Sequence, residues 1–406
     1  MNIKVNRPNS NHEKNDLFFL IALLSGYIIV CALPSIFRVE SRDFAVPYRF
    51  FMFFLSLYIL SNNLYYRKLE LKTVFIFFTF WIYYFFKTRY SFATDYYLPQ
   101  FIGQEFEVYL RIFIINLFPC FALFSIDYSK VDFKCLIISF FWIVFIMLII
   151  NLLYTVFYLN KFNNVSGIFS VYYISSGHFG ASLIILCSYL LLFNASSENI
   201  INKNILLSAI VLGLFAIYIS AARGPILALI VVGLYYIVLK KKVKFLFIFL
   251  FFLVVFITLI YISRQFFHLE SAFIERNYLW IFEGNTSGRE PYFNRAIAIF
   301  KDNILVGGRV LYEDGMYPHN LFLELLMSGG ILLLLIFGLI FYPLIKNINY
   351  FLNVSNSKLY ILPLFALWLQ YLILVQTSYN IHSNPEFWYF SSVIIGISIK
   401  NHNEKT

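Results

Sequence analysis

The chain reads as an all-α polytopic membrane protein of about twelve transmembrane helices. Three observations predict this. Of its 406 residues, 61% are hydrophobic and only 13% charged, with a mean hydropathy of +0.76. Apolar runs of about 15–25 residues recur from end to end, the length needed to cross a hydrocarbon core of roughly 30 Å. The runs are continuously apolar rather than alternating, which argues against a strand barrel.

In chain order, spans are expected near 17–37, 48–66, 73–86, 107–126, 135–157 and 169–193. The second half adds 205–221, 224–239, 245–263, 320–344, 359–377 and 386–399. The polar start, 1–16, carries no small-residue cleavage site and leads straight into a full-length span, so no removed leader is expected. Span 73–86 is short and aromatic, and 107–126 holds Arg111 near one end. Spans 205–221 and 224–239 are divided by a tight turn, with Pro225 suited to the first helical position of the second. The small residues of Ser175-Ser176-Gly177-His178-Phe179-Gly180-Ala181-Ser182 suit close packing of span 169–193 on a neighbour. No internal repeat and no low-complexity tail is visible, and the whole chain reads as one integral-membrane domain.

Orientation follows from the positive-inside rule. With both termini cytoplasmic, 15 Lys and 2 Arg fall inside, and 3 Lys and 11 Arg fall outside. Cytoplasmic loop charge therefore accounts for much of the net +10, and no nucleic-acid module is visible. Residues 264–319 form the one long hydrophilic stretch, facing outward between the ninth and tenth spans. Phe293, Ala296, Ile297 and Phe300 stand at helical spacing in it, so 290–301 is expected as an amphipathic helix on the membrane face. Gly307-Gly308 then breaks the chain. The four Cys (Cys31, Cys120, Cys135, Cys187) form no CxxC and read as small packing residues.

Residues able to carry chemistry gather on the outward side. Arg223 stands at the N-terminus of span 224–239, where the helix dipole already favours an anion; a cation there does nothing for the helix. Arg289, after Ser287-Gly288, opens the loop helix, and Arg295 lies six residues on. Arginine is the side chain suited to bidentate phosphate contacts. His319 begins the tenth span and can take a proton from a hydroxyl near neutral pH, or else cap that helix. Asn320 and Glu324 follow it, four apart on one face, and an ionisable residue within a span is rarely idle. His178 sits near the middle of an earlier span, as a core hydrogen-bonder or a polar site residue. His12, His268, His382 and His402 read as loop or tail residues. No His pair stands at metal-ligand spacing with a carboxylate, so no metal and no cofactor is expected.

In their order these elements resemble the O-antigen polymerase and O-antigen ligase family. The matching points are Ala222-Arg223-Gly224 between two spans, the outward loop with Ser287-Gly288-Arg289, and Asn303-Ile304-Leu305-Val306-Gly307-Gly308. His319-Asn320 and Leu323-Glu324, leading to Gly329-Gly330, complete the set, with a further likeness over Ser175–Leu183. The resemblance covers roughly residues 165–345; the first four spans share only their hydrophobicity. Ala221-Ala222 departs from the more polar run usual before the first arginine, and Arg309 stands where a small or apolar residue is usual. The resemblance implies a GT-C-like glycosyltransferase, metal-independent and inverting, in the bacterial cytoplasmic (inner) membrane. Its donor would be an undecaprenyl-diphosphate-linked glycan, used on the periplasmic face. Arg223 and Arg289 would bind the diphosphate, and His319 would activate the acceptor hydroxyl. Arg295, Asn320, Glu324 and His178 are expected to line the substrate, and a polysaccharide chain-length regulator is a partner the resemblance admits. Joining repeat units on the carrier is the favoured activity. Transfer of finished glycan to lipid A core is the alternative within the family. A lipid-linked oligosaccharide flippase is the alternative outside it, though its charges would lie nearer the bilayer midplane.

Overall fold

A computed structural model describes residues 10–36, 42–66, 71–101, 104–154, 173–193, 201–267, 271–285, 288–354 and 359–403. Its regular structure is helical: α1 (Ser10–Ile36), α2 (Arg42–Tyr66), α3 (Leu71–Thr94), α4 (Glu105–Ser125), α5 (Phe133–Tyr154), α6 (Tyr173–Phe193) and α7 (Lys203–Ser220). Then follow α8 (Gly224–Lys240), α9 (Val243–Gln265), α10 (Ala272–Glu283), α11 (Glu290–Asp302), α12 (Leu321–Ile340), α13 (Leu362–Leu374) and α14 (Pro385–Asn403). Among the described residues seven helices are long and apolar enough to span a bilayer, and α8 and α13 are shorter apolar helices. α1, α3 and α14 occupy the other three expected positions, so each anticipated span has its helix. The chain is a multi-pass membrane protein. Residues 155–157 and 169–172, at the edges of two expected spans, lie outside the described residues.

Lipid tails are as apolar as leucine, so these helices are held by close contact rather than by escape from water. Two devices supply it. Between α6 and α7, Gly180 and Gly213 let the backbones touch: a Cβ on either would stand 2.7 Å from the other's carbonyl oxygen. Where α3, α12 and α14 meet, aromatic rings fill the space. Trp81 and Trp388 lie 5.1 Å apart by ring centroid, with Phe80 and Phe337 against them. The aromatic residues thus serve both ways: rings such as these pack the interior, while others such as Phe54, Phe75, Phe247 and Phe251 face outward. α9, in contrast, turns most of its residues outward and is almost wholly a lipid-facing helix.

The two ends of the bundle carry different cations. At one end Lys130 meets Glu13, Lys400 pairs with Asp127, and Lys241 reaches Asn353. At the other end Arg89 meets Glu105, Arg111 bonds Ser383, and Arg309 bonds the Tyr96 carbonyl.

The expected amphipathic helix is α11, and α10 precedes it in the same loop. The helix does not simply lie on a surface. It packs along α12, and the chain after it enters a break in that helix. Gly330 has φ 61° and ψ −158°, which no α-helix allows. The break turns two amides aside from their own helix: Ile331 N–H donates to Ile304 O (3.0 Å) and Leu332 N–H to Leu305 O (3.1 Å). Gly308 N–H donates to Met327 O in return, and Lys87 Nζ from α3 donates to Gly307 O. The segment 303–308 is therefore spliced into α12 about 13 Å from its arginine-side end.

Both glycines at the splice are irreplaceable for two reasons. Each has positive φ, and a Cβ at Gly330 would sit 2.5 Å from Ile304 O, one at Gly307 2.5 Å from Gly329 N. Such backbone strain alone costs about 1–3 kcal/mol. Gly330→Ala is expected to lower the thermal midpoint of the detergent-solubilised protein by several degrees at least. A midpoint equal to wild type would show that the splice does not exist.

Candidate active site

The turn between α7 and α8 is compact. Ala221 closes α7 in the left-handed conformation (φ 47°), and its N–H returns to Ile217 O and Tyr218 O. Ser220 Oγ accepts from Ala222 N–H at 3.3 Å. Gly177 of α6 packs directly on Ser220 and Pro225, which fixes the turn from beneath. Arg223 follows as the residue capping α8, and its side chain crosses to the loop, where Nη1 donates to Asn285 O at 2.6 Å. Its Nε is buried and meets no protein acceptor among the described residues.

Two further guanidiniums approach. Burial, then Arg289, then Arg276 hold the Arg223 pKa below its usual value. Arg289 precedes α11 as its capping residue, and Arg276 projects from α10. Arg223 and Arg289 stand at helix starts and Arg276 within α10, and their mutual repulsion is what an anion among them would relieve. Arg276 did not stand out in the sequence, because nothing in its local pattern reveals that α10 folds back to the α7–α8 turn. Thr286 and Ser287, of the expected Ser-Gly-Arg motif, lie outside the described residues.

His319 stands beside this group. It is half-buried, with the Tyr317 ring 4.3 Å away and the Tyr292 ring 6.3 Å away edge-on. Burial and then the Arg289 charge push its pKa down to about 4. It is therefore neutral at pH 7 and able to accept a proton. Its φ of 53° is unusual for a side-chain-bearing residue and marks a position held by its surroundings. The cap of α12 is Asn320, not His319: Asn320 Oδ1 accepts from Leu323 N–H at 3.0 Å. Capping thus fully explains Asn320 and leaves the histidine to be explained by chemistry.

The other expected residues have protein partners of their own. Arg295 pairs with Glu313 and lies 4.5 Å over the Tyr312 ring. Arg309 pairs with the same Glu313, so these two arginines and one carboxylate brace the loop. Glu324 is completely buried and faces inward. Its carboxylate accepts from Ile381 N–H (2.9 and 3.1 Å) and from Tyr84 OH (3.3 Å). Tyr84 OH also contacts His382 Nδ1 at 3.2 Å. His382 is thus a buried core residue, not the simple loop residue its surroundings in the sequence suggest. Residues 377–383 form a strap past several elements: Thr377 at Gly224, Tyr379 at Ser175, Ile381 at Glu324 and Ser383 at Arg111. Asn116, in the π-helical part of α4 (111–117), holds the strap by donating to His382 O at 3.0 Å. No motif announces the strap, because its function is contact between distant segments.

Glu324→Ala would strand the Ile381 N–H inside the bundle and leave the Tyr84 hydroxyl only His382 Nδ1, at a cost of about 1–3 kcal/mol. Glu324→Gln keeps an acceptor for both and is expected to lose much less. Thermal midpoints of the two variants check this ordering; equal losses would mean that burial of charge, not the bonds, dominates.

His178 is 5% exposed and faces a cavity shared with Arg49 and Glu386, not the arginine group. Among the described residues no cluster of three or more His, Cys, Asp or Glu could hold a metal ion. No curated protein and no solved structure matches the chain. A family model described as O-antigen ligase matches residues 208–338. That stretch, about a third of the chain, holds the α7–α8 turn with Arg223, the loop with Arg276 and Arg289, His319, and the spliced α12, and is what the chain has in similarity to the O-antigen ligase family.

Proposed function

We propose that the chain polymerises undecaprenyl-diphosphate-linked oligosaccharide repeat units on the outer face of the bacterial cytoplasmic membrane, with both termini in the cytoplasm. A polysaccharide chain-length regulator is its expected partner. The observation that supports this best is a neutral, half-buried histidine beside a convergence of three guanidiniums, within the family-matched stretch. An acceptor sugar hydroxyl attacks the anomeric carbon of the donor glycan. The new C–O bond forms as the bond from that carbon to the diphosphate breaks, with inversion. His319 takes the hydroxyl proton, and Arg223 and Arg289, with Arg276, bind the diphosphate as it gains charge. Charge preorganised at the leaving group lowers the barrier because it acts where charge develops.

The test is a gel of surface glycans and lipid-linked precursors from a deletion strain carrying wild type or His319→Ala. Loss of the ladder, with single repeat units still reaching their final acceptor, is expected. Long lipid-linked chains with no attached glycan would instead mean transfer of finished glycan to lipid A core. Precursors trapped on the cytoplasmic face would overturn both.

A further inference from the structure

A second polar cavity lies at the arginine-rich end, walled by α1, α2, α6, α14 and the strap. It has a volume of about 60 Å³. Arg49, Ser175, His178, Tyr379 and Glu386 supply its polar groups. Ser175 Oγ and Tyr379 OH lie 2.8 Å apart, and the Tyr379 ring stands edge-on to His178 at 5.9 Å. His178 Nε2 is buried and meets no protein hydrogen-bond partner among the described residues. A buried polar atom of this kind has a cost unless something bonds it. An apolar cavity of about 30 Å³ adjoins, sharing Tyr27, Arg49, Phe179, Pro385 and Glu386 and adding Leu23, Leu24 and Met52.

The composition decides the ligand. Arg49 opposes a cation and Glu386 opposes an anion, so a neutral ligand is favoured. Guanidinium and carboxylate together match adjacent hydroxyls, one donating and the other accepting. His178 adds one further bond, and the Tyr27, Phe179 and Tyr371 rings offer apolar faces. A sugar has this pairing of hydroxyl edge and apolar face. At roughly 30 Å³ per water molecule, the cavity admits the hydroxyl-bearing edge of a ring rather than a whole hexose. The helix that carries His178 also passes the arginine group: Gly177, next to His178, packs on Ser220 and Pro225 on either side of the Arg223 turn.

We propose that the cavity of Arg49, His178 and Glu386 is a sugar subsite that holds hydroxyls of the glycan substrate. This rests on the glycosyl-transfer reading and adds to it a determinant of which sugar is accepted. The test is saturation-transfer NMR on the full chain in nanodiscs, without turnover. The probes are methyl glucoside, methyl galactoside and N-acetylglucosamine, with farnesyl diphosphate as a sugar-free probe of the arginine group. At least one sugar is expected to bind. His178→Ala and Glu386→Gln are each expected to weaken it about tenfold, the size of one lost hydrogen bond, while farnesyl diphosphate binding is retained and reports an intact fold. Arg223→Ala is expected to do the reverse. Farnesyl diphosphate binding without any sugar binding overturns the subsite and leaves the transfer reading standing. Sugar binding unchanged in both cavity variants, or displaced by inorganic phosphate, also overturns it. If neither probe binds wild type, both readings fall.

Discussion

His319→Ala is expected to lower the rate of glycan transfer by about two to four orders of magnitude, the usual contribution of a positioned general base. The fold should survive, because the α12 cap is supplied by Asn320 and the ring of His319 is only half-buried. Loss should therefore appear in kcat with donor binding little changed. The pH dependence gives a second, independent reading. A base acts only when unprotonated, and a lowered pKa keeps it unprotonated further into acid. With the free-protein value near 4, kcat/KM should hold as pH falls through 6.5 and decline only around pH 4. A decline centred at 6.5 or above would place the working base elsewhere. Near-normal rates in the alanine variant would remove His319 from the chemistry altogether.

Arg223→Lys is the second large effect. Charge is conserved, yet the planar fork is lost, and with it simultaneous contact to Asn285 O and to an anion. A loss of about 10²- to 10³-fold in kcat/KM is expected, comparable to removing one donor from a preorganised anion site. The neighbours sharpen this. Arg276 and Arg289 already press on Arg223 electrostatically, and a bound anion would relieve that repulsion. An ammonium would bear the same repulsion without the bidentate return. A glycan ladder of normal length from the lysine variant would count against the phosphate role.

What could be read in advance and what could not divide along one line. Local pattern exposed the spans, the helix α11 and the tight turn, because each is set by the spacing of apolar, proline and glycine residues within a short window. Arg223, Arg289 and His319 were legible as residues at helix starts, and the structure places Arg223 and Arg289 directly before α8 and α11 and His319 one residue before the α12 cap. Pairing between distant segments was not legible. Glu324 and Arg295 looked like substrate ligands because a carboxylate in a span and an arginine in a helix resemble site residues. Ile381, Tyr84 and Glu313 supply their partners instead, from sequence positions that no periodicity connects to them. Arg276 and His382 were passed over for the same reason in reverse: their surroundings in sequence are ordinary, and their surroundings in space are not.

The splice at Gly330 bears on how the protein is made. A helix entering a bilayer normally brings every hydrogen bond with it. α12 does not: the amides of Ile331 and Leu332 are satisfied only by carbonyls of residues translated before it. An unpaired amide in hydrocarbon costs several kcal/mol, so this helix is ill-suited to partition alone. In its broken form α12 needs the loop folded back against it, whereas an unbroken helix would bond these amides to Met327 O and Ser328 O. Assembly therefore has an order built into it, in which segment 303–308 must meet α12 before that helix can take its broken form.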